Sequence, residues 1–339
     1  MSEQKYEKDL QYIKDNEKNE MLLKPSLKRF NIFPIKHGDI WKAYKQHTKT
    51  HWVAEEIDIV GDKPVWNKMQ QGERQFIKMV LAFFASADGI VFENLSVNFI
   101  DEIQLPEARA FYGYQMMIEM VHAETYGLLI DTYIDDEKEK DKLFGAIETI
   151  PSIKNMADWA LKWMNNENAF AVRLVAFAVM EGVFFCSPFC SIFYMKHKNI
   201  LLKGLITSND FIQRDECLHT LFGVLLYGKL ENKLPQACIY VIVSEGVDHC
   251  IEFVKDSLPL DLIGMNATLM IQYVKFVADG LITKLGYKAL YKVKNPFKWM
   301  ETIGLESKDN FFEGVVTNYA KFNGDNGDDD FMVDGDIDF

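Results

Sequence analysis

At 339 residues and 48% hydrophobic, the chain is long enough to bury a large core in one domain or two. A net charge of -13, a pI near 5.1 and the lack of a Lys/Arg stripe with interleaved aromatics exclude a nucleic-acid partner as the first expectation. The five cysteines (Cys186, Cys190, Cys217, Cys238, Cys250) form no C-x-x-C pair and are odd in number, which disfavours a zinc ribbon or a disulfide framework and suits a reducing, cytoplasmic compartment.

Met1 to Asn19 is polar throughout, so no secretion signal is read there. Residues 1 to 25 are rich in Lys, Glu, Asp and Asn with little periodicity, and are expected to be mobile. Beyond them, apolar residues recur at three- and four-residue spacing through most of Glu73 to Tyr227, which predicts long helices. The expected helices cover about 38–50, 67–98, 103–133, 138–148, 153–163, 168–195, 207–228, 234–254, 262–283 and 307–320. With no linker visible, they make an all-α helical domain over 26–320. Leu174 to Met195 is long enough to span a membrane, but Glu181 and Pro188 inside it favour a buried core helix, so no membrane partner is expected.

Two carboxylates stand where apolar helices should not want them: Asp88 in LAFFASADGIVF and Glu181 in VAFAVMEGVFF. Neither has a basic residue at helical contact distance, and an unpaired buried carboxylate is costly. Two Glu-x-x-His pairs, Glu119/His122 in IEMVHAETY and Glu216/His219 in QRDECLH, each place a carboxylate and an imidazole on one helical face. A single such pair is weak, since it can be a satisfied polar spot in a core. In chain order, however, carboxylate then Glu-x-x-His occurs twice, with 31 positions from Asp88 to Glu119 and 35 from Glu181 to Glu216. That suits an up-and-down helix pair used twice.

Four carboxylates and two imidazoles from four helices form the ligand set of a ferritin-like di-metal centre, with Asp88 where Glu is more usual. Oxygen-rich ligation with one imidazole per metal suits iron or manganese, and the absence of sulfur argues against zinc or an iron–sulfur cluster. Tyr126 follows His122 by one helical turn on the same face, where its phenol can lose an electron and a proton to oxidising metals; an ordinary core tyrosine is the plain alternative. Phe185, Phe189 and Ile212 have the spacing to wall that phenol off from water, although the same pattern fits ordinary core. Pro188 is expected to bend its helix. Asp215 points about 100° away from Glu216. There it can accept a hydrogen bond from a ligating imidazole or, equally, pair with Arg214.

The tail Asn323 to Phe339, NGDNGDDDFMVDGDIDF, is acidic and Gly/Asp-rich yet carries Phe331, Met332, Val333, Ile337 and Phe339. A tail that only solubilises has little use for them, whereas a flexible peptide that folds onto a partner does.

These residues lie in segments that resemble the small, radical-generating subunit of class I ribonucleotide reductase, of the eukaryotic and viral type. The segments are HWVAEEIDI, AFFASADGIVFENL, EARAFYGYQMMIEMVHAETYGLLIDTYI, VAFAVMEGVFFCSPFCSIFYMK, QRDECLH, LIGMN, FVADG, NPFKWME and NFFE, collinear from about Asp39 onward. The resemblance implies a homodimer in which Asp88, Glu119, His122, Glu181, Glu216 and His219 hold two iron ions per chain that react with O2 to oxidise Tyr126 to a stable radical. It further implies that the hole passes through His122, Asp215, Trp52 and Tyr319 to a separate large subunit, where ribonucleotides become 2′-deoxyribonucleotides. Phe185, Phe189 and Ile212 match the family's pocket around the radical, and Arg214 a residue beside the transfer path. The ending VDGDIDF departs from the family's usual tail at Val333 and Gly335 but agrees at Asp336, Asp338 and Phe339, with Phe331 as a shifted anchor for docking. Two other readings of the scaffold stay open: a stand-alone di-iron oxidase or ferroxidase, and a non-catalytic paralogue that binds the large subunit.

Overall fold

The computed structural model describes residues 3–200, 202–256 and 265–300. Described residues up to Phe297 belong to one compact unit. Tyr319, the expected helix 307–320 and the tail residues Phe331, Asp336, Asp338 and Phe339 lie outside the described residues.

Among the described residues every regular element is helical. The principal helices are α1 (Glu3–Asn16), α2 (Gly38–Thr48), α3 (Gln71–Asn94), α4 (Pro106–Tyr133), α5 (Glu137–Phe144), α6 (Pro151–Trp163), α7 (Phe170–Val179), α8 (Cys186–His197), α9 (Lys203–Gly228), α10 (Gln236–Asp256) and α11 (Ala267–Lys284). Local chemistry sets many of the starts. Pro106 and Pro151 open α4 and α6, where a missing N–H costs nothing. The Asp136 carboxylate accepts from Glu139 N at 2.8 Å ahead of α5, and the Asn266 side chain accepts from Leu269 N at 3.0 Å ahead of α11. At the start of α9, buried Asp62 accepts from Gly204 N and Leu205 N (3.0 and 2.9 Å) and from the Tyr133 hydroxyl (2.7 Å). One carboxylate thus stabilises the positive end of α9 and ties it to the end of α4.

Helix α3 packs on α4, and α7 on α9, so the two expected ligand pairs are indeed two packed helix pairs; α4 and α9 also meet. Helix α2 lies along α4, while α10 covers the bundle against α6 and α11. All ten residues of α7 are buried, as an all-round apolar sequence demands. Its one charge, Arg173, pairs with Glu102 at 2.8 Å and donates to the Asn168 carbonyl. By length and apolarity Gln71–Asn94 and Phe170–His197 could each cross a membrane, but 94% of the second window is buried inside the protein, as in the core helix expected there.

Residues 3–25 contain α1, and polar contacts tie this segment to the body. Lys14 Nζ donates to the carbonyls of Asn166 and Asn168 (2.9 and 3.0 Å), Glu17 accepts from Phe170 N (2.6 Å), and buried Glu20 accepts from Glu231 N and Asn232 N. Those anchors are polar and distant in sequence, so apolar periodicity could not reveal them. One expectation needs correction, that 168–195 is one helix bent at Pro188. The segment is interrupted earlier, by a π-helical turn at Met180–Phe184, and Pro188 falls in the first turn of α8, where its ring disturbs no hydrogen bond.

Candidate metal centre

Asp88 comes from α3, Glu119 and His122 from α4, Glu181 from the π-helical turn after α7, and Glu216 and His219 from α9. All six are buried, none more than 3% exposed. Ligand atoms of Asp88, Glu119 and His122 lie within 4.8 Å of one another, and so do those of Glu119, Glu181, Glu216 and His219. Glu119 belongs to both groups, the position of a carboxylate shared between two cations. The Nδ1 atoms of both imidazoles point into the cluster. His122 Nδ1 is 3.3 Å from Glu119 and 3.1 Å from Glu216, and His219 Nδ1 is 3.0 Å from Glu119 and 3.4 Å from Glu216.

The donors converge without satisfying one another. Both Asp88 carboxylate oxygens, Glu119 Oε2, Glu181 Oε2, Glu216 Oε1 and His122 Nδ1 are buried and have no hydrogen-bond partner among the described residues. Native interiors leave few such atoms, so this many in one place fits a site for cations. Oxygen and imidazole donors without sulfur suit iron or manganese.

The electrostatics before a metal binds follow from the same crowding. Burial, then the charge of Glu119, raises the Asp88 pKa well above the carboxylate range, and burial does the same to Glu181. For Glu119 burial works upward, but the adjacent His122 and His219 imidazoles outweigh it and hold the carboxyl low. Burial likewise opposes charge on both imidazoles, yet Asp215, Glu119 and Glu216 raise His122, and Glu216 and Glu119 raise His219.

Around the donors stand residues that orient them. Asp215 Oδ2 is 3.3 Å from His122 Nε2 and accepts from Trp52 Nε1 at 2.7 Å, and the Trp52 ring stacks near His122 with centroids 5.9 Å apart. Both of the sequence alternatives for Asp215 hold, since Arg214 also pairs with it at 3.2 Å while donating to the Thr50 carbonyl at 2.7 Å. Trp52, which spacing alone would leave as ordinary core, is buried at 2% and joined to the site through this carboxylate.

Tyr126 is buried, its hydroxyl has no hydrogen-bond partner among the described residues, and burial followed by the nearby Asp88 charge pushes its pKa well up. The ring stacked on it belongs to Phe84, with centroids 4.7 Å apart and planes 9° from parallel. Phe189 and Phe185 pack behind Phe84, at 4.9 and 5.8 Å, and Ile212 is buried on α9 one turn before Glu216.

Sequence reading missed three residues here. Phe84 lies one turn before Asp88. Gln115, one turn before Glu119, donates to Glu181 Oε1 at 2.6 Å, and a lone amide in that helix was its only signal. His47, from α2, places Nε2 3.2 Å from His219 Nε2, and burial, then the neighbouring His219, lowers its pKa. Nothing in KAYKQHTKTHW announced it.

Residues 29–296 match the family model described as ribonucleotide reductase, small chain. The chain is 54% identical over 303 residues to the ribonucleoside-diphosphate reductase small subunit of Dictyostelium discoideum, covering 89% of each chain. It is 52% identical over 311 residues to small chain 1 of Saccharomyces cerevisiae, covering 91% of this chain and 78% of that one. Among solved structures, the ribonucleotide reductase Rnr4 homodimer of S. cerevisiae superposes with a TM-score of 0.83 at 34% identity, covering 94% of this chain and 98% of that chain. With a ferritin-like bundle, a buried di-metal donor set and this similarity along its length, the chain belongs to the ribonucleotide reductase small-chain family.

Proposed function

We propose that this ribonucleoside-diphosphate reductase small subunit generates a radical at Tyr126, stores it there, and delivers it to a separate large subunit that reduces ribonucleotides to 2′-deoxyribonucleotides. The observation that carries the reading is the set of unsatisfied donor atoms beside a buried phenol with no hydrogen-bond partner among the described residues. Asp88, Glu119 and His122 would hold one cation, and Glu119, Glu181, Glu216 and His219 the other. Two iron ions held there, with O2 as co-substrate, would supply the oxidising power needed to take one electron from Tyr126; manganese is the less favoured occupant.

Tyr126 gives up that electron together with its phenolic proton. Phe84, with Phe185 and Phe189 behind it, keeps water and small reductants from the neutral radical left behind. Burial opposes a bare phenolate, so electron and proton leave together rather than the proton first. During turnover Tyr126 recovers an electron and a proton while the hole travels outward. The contacts joining His122, Asp215 and Trp52 support that exit, which continues through Tyr319, outside the described residues. By the same reading, the tail docks the large subunit through Phe331, Asp336, Asp338 and Phe339, and the working unit is a homodimer like the similar yeast structure. None of the five cysteines is in a disulfide, in keeping with work in the cytoplasm.

The test is reconstitution with iron(II) and O2, followed by electron paramagnetic resonance and metal analysis on one sample. Two irons per chain and a phenoxyl signal are expected, with Tyr126→Phe keeping the metal and losing the signal. Metal without radical in the unsubstituted protein would turn the reading toward a non-catalytic paralogue.

A further inference from the structure

The two imidazoles of the centre are held from outside by different chemistry. His122 Nε2 faces the Asp215 carboxylate at 3.3 Å, whereas His219 Nε2 faces another imidazole, His47 Nε2, at 3.2 Å. His47 is fully buried on α2 and packed by Phe111 and Tyr114, with ring centroids at 5.0 and 4.6 Å. Its other nitrogen, Nδ1, is also buried and has no hydrogen-bond partner among the described residues. A leucine would fill the same apolar space without that cost, so packing does not explain an imidazole there.

We propose that His47 is a positioning residue for the metal held by His219: it accepts the Nε2–H of His219 and so keeps the Nδ1 lone pair of His219 aimed at the cation. This rests on the di-metal reading of the cluster. The tautomers follow from geometry. His219 Nδ1 lies among the carboxylates, 3.0 Å from Glu119, and must offer its lone pair to a metal, so its proton sits on Nε2. A bond across the 3.2 Å gap then needs a lone pair on His47 Nε2, which puts the His47 proton on the orphaned Nδ1. The unsatisfied N–H of His47 is the consequence of serving as an acceptor on its inner side. The two metals thereby differ. One would be held through an imidazole backed by an anion, the other through an imidazole backed by a neutral ring, and only the second would depend on α2.

The experiment titrates manganese(II) into metal-free full-length protein under anaerobic conditions, with unbound ion counted by electron paramagnetic resonance and folding checked by thermal melting. The unsubstituted chain should take up two ions. His47→Leu should weaken one of the two about 10- to 100-fold and leave the other unchanged, as loss of an outer partner does. His47→Gln, which keeps an acceptor, should bind both ions nearly as the unsubstituted chain does. Unchanged affinity in His47→Leu, equal weakening of both ions, or failure of His47→Gln to restore the second ion would each overturn the proposal. An unsubstituted chain that binds no ion would instead overturn the di-metal reading and the inference with it.

Discussion

Burial shifts Asp88 and Glu181 toward their protonated forms, and the carboxylates around His122 and His219 shift those imidazoles the same way against the opposing effect of burial. A cation must displace those protons, since ligands bind through lone pairs. All four pKa values lie above their ordinary ranges, so acid keeps the competitor in place and rising pH removes it. Manganese(II) affinity should therefore climb between pH 6 and pH 8 by about one order of magnitude per pH unit for each proton released. Calorimetry in buffers of different ionisation enthalpy should detect the released protons, and pH-independent uptake would contradict the charge state described. Asp215 is a separate case. Asp215→Ala strands both His122 Nε2 and Trp52 Nε1, at a stability cost of about 1–3 kcal/mol. With iron supplied in excess of the weakened site the variant should still form the Tyr126 radical, because no metal ligand is lost, yet fail in turnover with the large subunit; normal turnover would refute the transfer role. At this scale the six clustered residues were legible because Glu-x-x-His spacing, and a carboxylate inside an apolar helix as at Asp88 and Glu181, are local properties of a helix. His47, Gln115 and Phe84 were not, because their roles arise from helices meeting in space or from which ring covers which.

The elements show where periodicity succeeds and where it stops. Helices α3, α4 and α9 were legible from three- and four-residue spacing with ends off by a few residues, since each presents a distinct face to the core. The turn at Met180–Phe184 was not, because a stretch buried on every side has no polar face whose slippage would mark an extra residue. That turn carries Glu181, so its packing bears on the site. Gly246 on α10 makes room for it: a Cβ at 246 would lie 2.9 Å from Val179 Cγ1, 3.1 Å from Phe184 Cε1 and 3.3 Å from Trp159 Cζ2. Two of these neighbours are rings and the third is a branched stub, so none can yield easily. Gly246→Ala should cost about 1–3 kcal/mol through overpacking, seen as a lower melting temperature. Because the strain falls on the turn that holds Glu181, the variant should also bind its second metal more weakly. A melting point and manganese(II) isotherm both equal to those of the unsubstituted chain would show that the turn is not held from α10.

For the whole molecule, the proposed radical would be made inside the helical bundle and used in another chain, so making it and spending it should be separable. The bundle holds every proposed ligand, Tyr126 and the Trp52–Asp215–His122 contacts. The residues proposed to dock the partner all lie beyond Phe322, in a segment with seven aspartates, no basic residue, and Phe331, Met332, Val333, Ile337 and Phe339 between them. Such a peptide offers apolar anchors for pockets and a negative field for a basic rim. Ending the chain at Phe322 should leave metal content and radical yield unchanged while abolishing ribonucleotide reduction with the large subunit. A synthetic peptide of residues 323–339 should inhibit the intact enzyme by competing for the same surface. Phe339→Ala in that peptide should weaken inhibition at any ionic strength, whereas added salt should weaken every version of it by screening the aspartates. If the shortened chain sustained full turnover, docking would have to reside on the helical body, and the apolar residues of the tail would need another purpose.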